Sequence, residues 1–222
     1  MIISPLFKPS KLDGIEDSIQ RFLNSQSDVM SPDTFSSPRA VGDAMQHILG
    51  ENFGQLLAGN IKECSANFAR RAMADMAFID YKDFYHVVDI KTHRLDTTFN
   101  IPNLTSVERL SRFYEDDKNY FDILLIAYSV NGSSLAIEKV NFVPIEKLDW
   151  DCLTIGALGW GQIQIANSNR VLINHSQLRR DWMINLCDKL LTFYPNEILK
   201  INKRVEHFTK IKQSWQIINT DI

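Results

Sequence analysis

The stretch Ala74–Thr92, ADMAFIDYKDFYHVVDIKT, constrains the fold more than any other part of the chain. Two apolar runs flank a polar Asp80–Asp83 segment, the pattern of a β-hairpin. With Tyr81–Asp83 as the loop, paired residue numbers sum to 164, which sets Asp75 opposite Asp89. Directly opposed residues hold their Cβ atoms about 4.5–5.5 Å apart. Side chains alternate between strand faces, so Asp89 and Lys91 share one. Val87, Val88 and Ile90 make the second strand apolar on both faces, which predicts a central strand covered on each side. By this reading one strand begins at Asp75 and the other ends in Asp89-Ile90-Lys91. Charges at the end of a buried strand need a partner or a metal. Two carboxylates beside an ammonium can bind a divalent cation and serve phosphodiester hydrolysis. Asp-x-Lys is also common on solvated strand faces, and those three residues alone leave both readings open.

Elsewhere the pattern is mixed. Residues Met1–Ser37 carry little periodicity, and Ser27–Pro38, rich in Ser, Asp and Pro, reads as a loop. Val41, Met45, Ile48, Leu49 and Phe53 share a helical face over Val41–Leu57, with Asp43 in the first turn. Cys64–Met73 continues irregularly or helically. A polar loop, His93–Asn103, follows the hairpin, and a helix is expected over Thr105–Glu115. Phe121–Val130 and Ala136–Val143 read as strands joined at Asn131-Gly132. Trp160–Ala166 alternates and reads as another. Two terminal helices are expected, Gln177–Phe193 with Leu178, Met183, Leu186, Leu190 and Leu191 inward, then one carrying Ile198, Ile201, Val205, Phe208 and Trp215, with Pro195 between them. The whole predicts an α/β fold, a central mixed sheet flanked by helices. It is taken as a single domain over 1–222, with an N-terminal segment at 1–40, a catalytic core at 41–175 and C-terminal helices at 176–222.

Composition limits the function classes. No apolar run is long enough to span a membrane, and the N-terminus lacks the basic-then-apolar pattern of a secretory signal. Three widely spaced cysteines, Cys64, Cys152 and Cys187, argue for reduced thiols in the cytoplasm and against a zinc site. The net charge of −3 does not advertise nucleic-acid binding. Yet Arg170–Lys212 holds nine basic and four acidic residues, leaving −8 for the remainder. A basic segment beside an acidic remainder suits an enzyme that grips phosphates, although an ordinary polar helix face explains it as well.

The motif residues resemble the PD-(D/E)xK nuclease superfamily, and more closely type II restriction endonucleases of the EcoRV and HincII kind. Asp75 stands for the first carboxylate, and Asp89-Ile90-Lys91-Thr92 for the Asp-Val/Ile-Lys-Thr strand. Ala74 replaces the Pro of the superfamily's name. Asn100-Ile101-Pro102-Asn103 lies at the offset of the Gln-Ala-Pro-Asn loop of the HincII kind, Gln162-Ile163-Gln164 matches its Gln-Ile-Gln strand, and Arg179-Arg180-Asp181-Trp182 matches the start of its terminal helices. The similarity spans about Val41–Trp215. It implies Mg²⁺ held by Asp75, Asp89 and the Ile90 carbonyl, catalysis by Asp75, Asp89 and Lys91, and Asp43 as a possible additional acid. DNA contacts are implied for Thr92, His93, Arg94, Thr97, Thr98, Asn100, Asn103, Gln162 and Gln164. Asn103 has a rival role as the cap of the following helix. The implied partners are double-stranded DNA and a second identical subunit, with no organic cofactor and no membrane. A repair or mobile-element endonuclease of the same fold, or a DNA-binding domain with structural carboxylates, stays open.

Overall fold

The computed structural model describes residues 4–26, 34, 37–65, 74–98, 100–131 and 134–217. The chain divides into two units, Met1–Ser176 and Gln177–Ile222.

The first unit is α/β. Its larger sheet has the order β1 (Ile61–Ser65), β2 (Met76–Asp80), β3 (Tyr85–Arg94), β5 (Asn119–Asn131), β6 (Ser134–Pro144). Only β3 and β5 run parallel, so the sheet is mixed. A smaller antiparallel sheet orders β4 (Asn103–Ser106), β8 (Gln162–Ile165) and β7 (Leu153–Gly156). Helices α1 (Pro9–Ser25) and α2 (Pro38–Leu56) cover one face of the large sheet. Their buried residues, Leu12, Ile15, Ile19 and Leu23 on α1 and Val41, Met45, Leu49 and Phe53 on α2, follow the helical period. They pack with Phe78, Val88, Ile90, Leu124 and Ile126 of the sheet. The opposite face is buried too, through Ala77, Val87, Phe121 and Ile123. On that side Phe113, the last residue of α3 (Val107–Phe113), meets the ring of Tyr85 edge-on at 6.0 Å.

Several expectations change here. The N-terminal stretch is not patternless: α1 is amphipathic, its polar side diluting the apolar period. Helix α2 starts at Pro38, capped by the Ser37 side chain on the Ala40 N–H, so Asp43 sits in its second turn. Cys64 belongs to β1, and residues 66–73 lie outside the described residues. So does most of the expected Ser27–Pro38 loop, and so does Gly132. Strand β3 does not end at Lys91 but runs through Arg94, because its pairing with β5 continues to Arg94↔Tyr128. Residues Asn103–Ser106 pair as β4, so α3 begins later than Thr105, with Ser106 as its N-cap. Asn103 is therefore not the cap of that helix.

The second unit carries one helix, α4 (Arg179–Ile217), continuous through Pro195. An interior Pro forfeits one hydrogen bond and strains the preceding turn, about 3 kcal/mol, which does not divide this helix in two. Among its described side chains only Arg179, Trp182 and Leu186 are buried. Leu178, just before it, and Leu191, Ile198, Ile201, Val205, Phe208 and Trp215 along it are exposed, not inward.

Beneath the hairpin turn lies a sealed ionic cluster. His86 Nδ1 is 2.7 Å from Asp122 Oδ2, and its Nε2 is 3.8 Å from Asp80 Oδ2. All three side chains are fully buried. The imidazole stacks between Phe78 and Tyr120, at 4.5 and 4.9 Å. Burial alone would lower the His86 pKa, but Asp122, and then Asp80, hold it above the ordinary value. Burial would raise Asp80, yet the nearby His86 ring and hydrogen bonds from the Ser4 hydroxyl and the Phe84 and Lys82 amides bring it down to about 2. The His86 contribution is therefore complete below its unfolded pKa and is lost as pH rises through the raised folded one. The Asp80 contribution is complete above its unfolded value and is lost as pH falls towards about 2. Asp122→Asn should lower stability near neutral pH by about 3 kcal/mol, since it leaves a buried charge short of its partner. Thermal unfolding followed across pH checks this: the variant should also lose the alkaline decline tied to His86, and an unchanged profile would contradict the cluster's role.

Candidate functional site

The hairpin register is the one that the sequence predicts: Met76↔Val88, Ala77↔Val87, Phe78↔His86 and Ile79↔Tyr85. Asp80 makes the turn, its Oδ1 accepting from the Lys82 and Phe84 amides at 2.7 and 3.0 Å. Asp83 takes the left-handed conformation at φ 62.

Asp75 stands just before β2, its amide donating to the Val88 carbonyl at 2.9 Å. Its Oδ2 accepts from the Ile90 N–H at 2.7 Å, and its Oδ1 accepts from Gln46 Nε2 on α2. A residue's N–H and C=O project to the same strand edge. The Ile90 carbonyl thus faces past the end of β2, towards Asp75. Asp89 is only 6% exposed, and its Oδ1 accepts from Lys91 Nζ at 2.9 Å. Its buried Oδ2 has no hydrogen-bond partner among the described residues. Burial first, and the Asp75 charge in addition, push the Asp89 carboxyl up to about 7 against the pull of Lys91. Burial likewise raises Asp75, against the Ile90 amide and Lys91. The structure therefore brings Asp75, Ile90, Asp89 and Lys91 together at one end of the hairpin.

These groups fit a hard divalent cation. An orphaned buried carboxylate oxygen, a second carboxylate and a carbonyl at the same edge are oxygen donors, and Mg²⁺ needs only one or two carboxylates. Among the described residues there is no cluster of three or more His, Cys, Asp or Glu that would enclose a metal. Asp43 is not gathered in: it lies exposed beside Arg39, at 3.9 Å. The α2 residue that reaches the acids is Gln46, which the sequence reading missed. No sequence signal marks it; it lies one turn beyond Gly42, where α2 approaches β3 so closely that a Cβ would come 2.9 Å from Thr92 Oγ1.

The residues expected to touch DNA fall into two groups. His93 Nε2 lies 2.8 Å from Asn169 Oδ1, while Asn169 Nδ2 donates to the Thr97 and Thr98 carbonyls at 2.8 and 3.4 Å. Ser168 donates through its amide and hydroxyl to the Asn100 carbonyl at 3.1 and 3.2 Å. Arg94 is held by Asp96, Nε to Oδ1 at 2.7 Å. Thr92 turns its hydroxyl towards Gly42. A cleft of about 220 Å³ opens here, lined by Lys91, His93, Lys139, Asn141, Ser168 and Asn169 among others. Ser168 and Asn169 are thus missed residues that fasten the loop.

The second group lies on the small sheet. Asn103 pairs in register with Gln164, and Gln164 Nε2 donates to Asn103 Oδ1 at 2.6 Å. Gln162 lies two residues away on the same strand face, opposite Ser106. Gly156 belongs to this arrangement, because a Cβ there would stand 2.7 Å from Gln164 Oε1. Compared with models of known protein families and with curated proteins, the chain matches none.

The acids cost the fold something. Asp89→Asn keeps an acceptor for Lys91 and removes a desolvated charge facing Asp75. In metal-free buffer the variant should be as stable as the parent or more stable by about 1 kcal/mol, while Mg²⁺ should no longer raise its melting temperature. Thermal melts with and without Mg²⁺ check this; a strongly destabilised variant would mean that Asp89 is structural.

Proposed function

We propose that this chain is a type II restriction endonuclease of the PD-(D/E)xK superfamily, EcoRV-like in branch, cutting double-stranded DNA at a short specific site. The observation that carries the reading is the Asp75–Asp89–Lys91 constellation with its unpartnered, buried Asp89 Oδ2. Structural carboxylates are ordinarily paired, because an uncompensated buried charge is costly. An unpaired one beside a second acid and an ammonium is the form a cation and phosphate site takes. The mixed sheet, with β3 parallel to β5 and helices on both sides, supports a restriction-endonuclease-like fold.

Asp75, Asp89 and the Ile90 carbonyl would hold Mg²⁺, which when bound supplies Lewis acidity and a water more readily ionised. Lys91 faces the incoming phosphate from beside Asp89. Its ammonium holds the attacking water by hydrogen bonding and stabilises negative charge that grows on the phosphoryl oxygens. Gln46 and the Ile90 N–H fix the Asp75 carboxylate. The Asn103–Gln164 amide pair presents donors and acceptors of the kind that read base edges. The loop fastened by Ser168 and Asn169 sits beside Lys91 and contacts phosphates or bases next to the cut. A twofold DNA site implies two copies, each cutting one strand. The protein would act in the cytoplasm.

Incubation of the purified chain with plasmid and Mg²⁺ tests the proposal. Discrete fragments are expected; a smear would favour a repair or mobile-element nuclease, and binding without cutting a DNA-binding domain. Asp75→Asn and Asp89→Asn should each abolish cleavage while the fold and much of the DNA affinity remain. Lys91→Ala should lose several orders of magnitude, and a loss below about tenfold, roughly 1.4 kcal/mol, would reduce Lys91 to a neutraliser of the acids.

For recognition, Asn103→Ala should weaken specific binding by about 1–3 kcal/mol and lower discrimination at one base pair per half-site. Competition between cognate and singly altered duplexes at one salt concentration reads this out. An unchanged ratio would move base reading to Gln162, Asn100 or elsewhere.

A further inference from the structure

Helix α4 taken by itself carries a long exposed apolar stripe. Leu191, Tyr194, Ile198, Ile201, Val205, Phe208 and Trp215 recur in alternating steps of three and four, broken only at Lys212. All are exposed, and Leu191, Ile198, Val205, Phe208 and Trp215 by more than half. A seven-residue apolar repeat on a helix this long is the seam of a left-handed coiled coil, not the broader face that packs on a globular core. Covering it would remove roughly 700 Å² per chain from water, on the order of the ~800 Å² per partner of a stable interface.

We propose that α4 pairs with α4 of a second copy of this chain as an antiparallel two-stranded coiled coil centred between Leu199 and Lys200. In that register every aromatic residue of the stripe meets a smaller one: Phe208 faces Leu191, Tyr194 faces Val205 and Trp215 faces Ile184, while Ile201 faces Ile198 at the centre. Interleaving large and small side chains is what dense packing requires. The flanking positions agree. Glu197 comes beside Arg204 of the other copy twice by symmetry, and Leu190 comes beside Ile211. A parallel pair would instead stack Phe208, Trp215 and Lys212 each on its own copy, the last a repulsion in the seam. It would also set Glu197 near Asn202 and Arg204 near Thr209, with no charge satisfied. The pairing goes beyond the nuclease reading, which requires two copies but does not say which surface joins them. It is measured without DNA or metal, so a failed cleavage assay leaves it untouched.

The experiment is sedimentation velocity of the full chain over a range of concentrations. A concentration-dependent dimer is expected, and Ile198→Asp with Ile201→Asp should leave only monomer. Both positions are exposed, so folding of the first unit, checked by its melting transition, should be unaffected. Glu197→Arg alone and Arg204→Glu alone should each weaken association at least about fivefold, and the double exchange should restore it. Glu197 also binds Lys200 within its own helix at 2.7 Å, so Lys200→Ala serves as the control that leaves association unchanged. A wild-type chain that stays monomeric, or a dimer indifferent to Ile198 and Ile201, overturns the interface. A dimer broken by those changes but not restored by the charge exchange overturns the antiparallel register.

Discussion

Strand β3 is paired on both edges, to β2 and to β5, and buried on both faces around Val87, Val88 and Asp89. A carboxylate in such a strand has lost most of its water and can recover little of it by moving, because ladders fix the backbone on either side. The other members of the site answer to that constraint. Lys91, two residues on and on the same face, supplies one charge-assisted hydrogen bond. Asp75 cannot help, since it is itself an acid, and it is turned to the Ile90 amide and to Gln46. One oxygen of Asp89 is left over. That remainder, an oxygen without a hydrogen-bond partner among the described residues, follows from the β2–β3 and β3–β5 pairing that places the strand inside the sheet.

The hairpin was legible in the sequence for a specific reason. Its turn residues and its alternation are local, so the register followed from counting alone, as the four observed pairs bear out. The helical period of Val41, Met45, Leu49 and Phe53 was equally local. What could not be read was set by pairing between distant segments. Strand β3 extends to Arg94 only because β5 is long enough to pair with it. Residues Asn103–Ser106 become a strand only because Gln162–Gln164 lie alongside them; β8 itself was legible from the alternation of Trp160–Ala166, but its partners β4 and β7 were not. Helix α1 is a different kind of miss. Leu12, Ile15, Ile19 and Leu23 did carry the period, but the polar residues between them masked it.

The same distinction explains the site residues. Asp75, Asp89 and Lys91 were visible because they interrupt apolar runs. Ser168 and Asn169 are polar residues in polar surroundings, and Gln46 is one polar position on an amphipathic helix, so nothing in the sequence marks them. Their roles come from where the fold carries them: Gln46 reaches around to Asp75, and Asn169 ties His93 to the Thr97 carbonyl. Asn103 and Gln164 were visible singly, yet their joining into one hydrogen-bonded pair depended on the unforeseen small sheet. In each case the missing information was tertiary, not compositional.

The chain contains two buried ionic clusters on the same hairpin, and comparing them separates structure from chemistry. In the first, His86 lies between Asp80 and Asp122, all three without solvent exposure, with aromatic rings on both faces of the imidazole. An imidazole whose pKa the two acids raise already stands between them, sealed from solvent. In the second, the two acids share one ammonium at the rim, where the Lys91 side chain is one-quarter exposed and borders an open cleft. Burial and the second acid raise the Asp89 carboxyl to about 7, while the enclosed Asp80 falls to about 2. Two carboxylates nine residues apart on one hairpin, Asp80 and Asp89, therefore stand on opposite sides of their ordinary value, according to whether hydrogen-bond donors surround the carboxylate or leave one of its oxygens without a donor among the described residues.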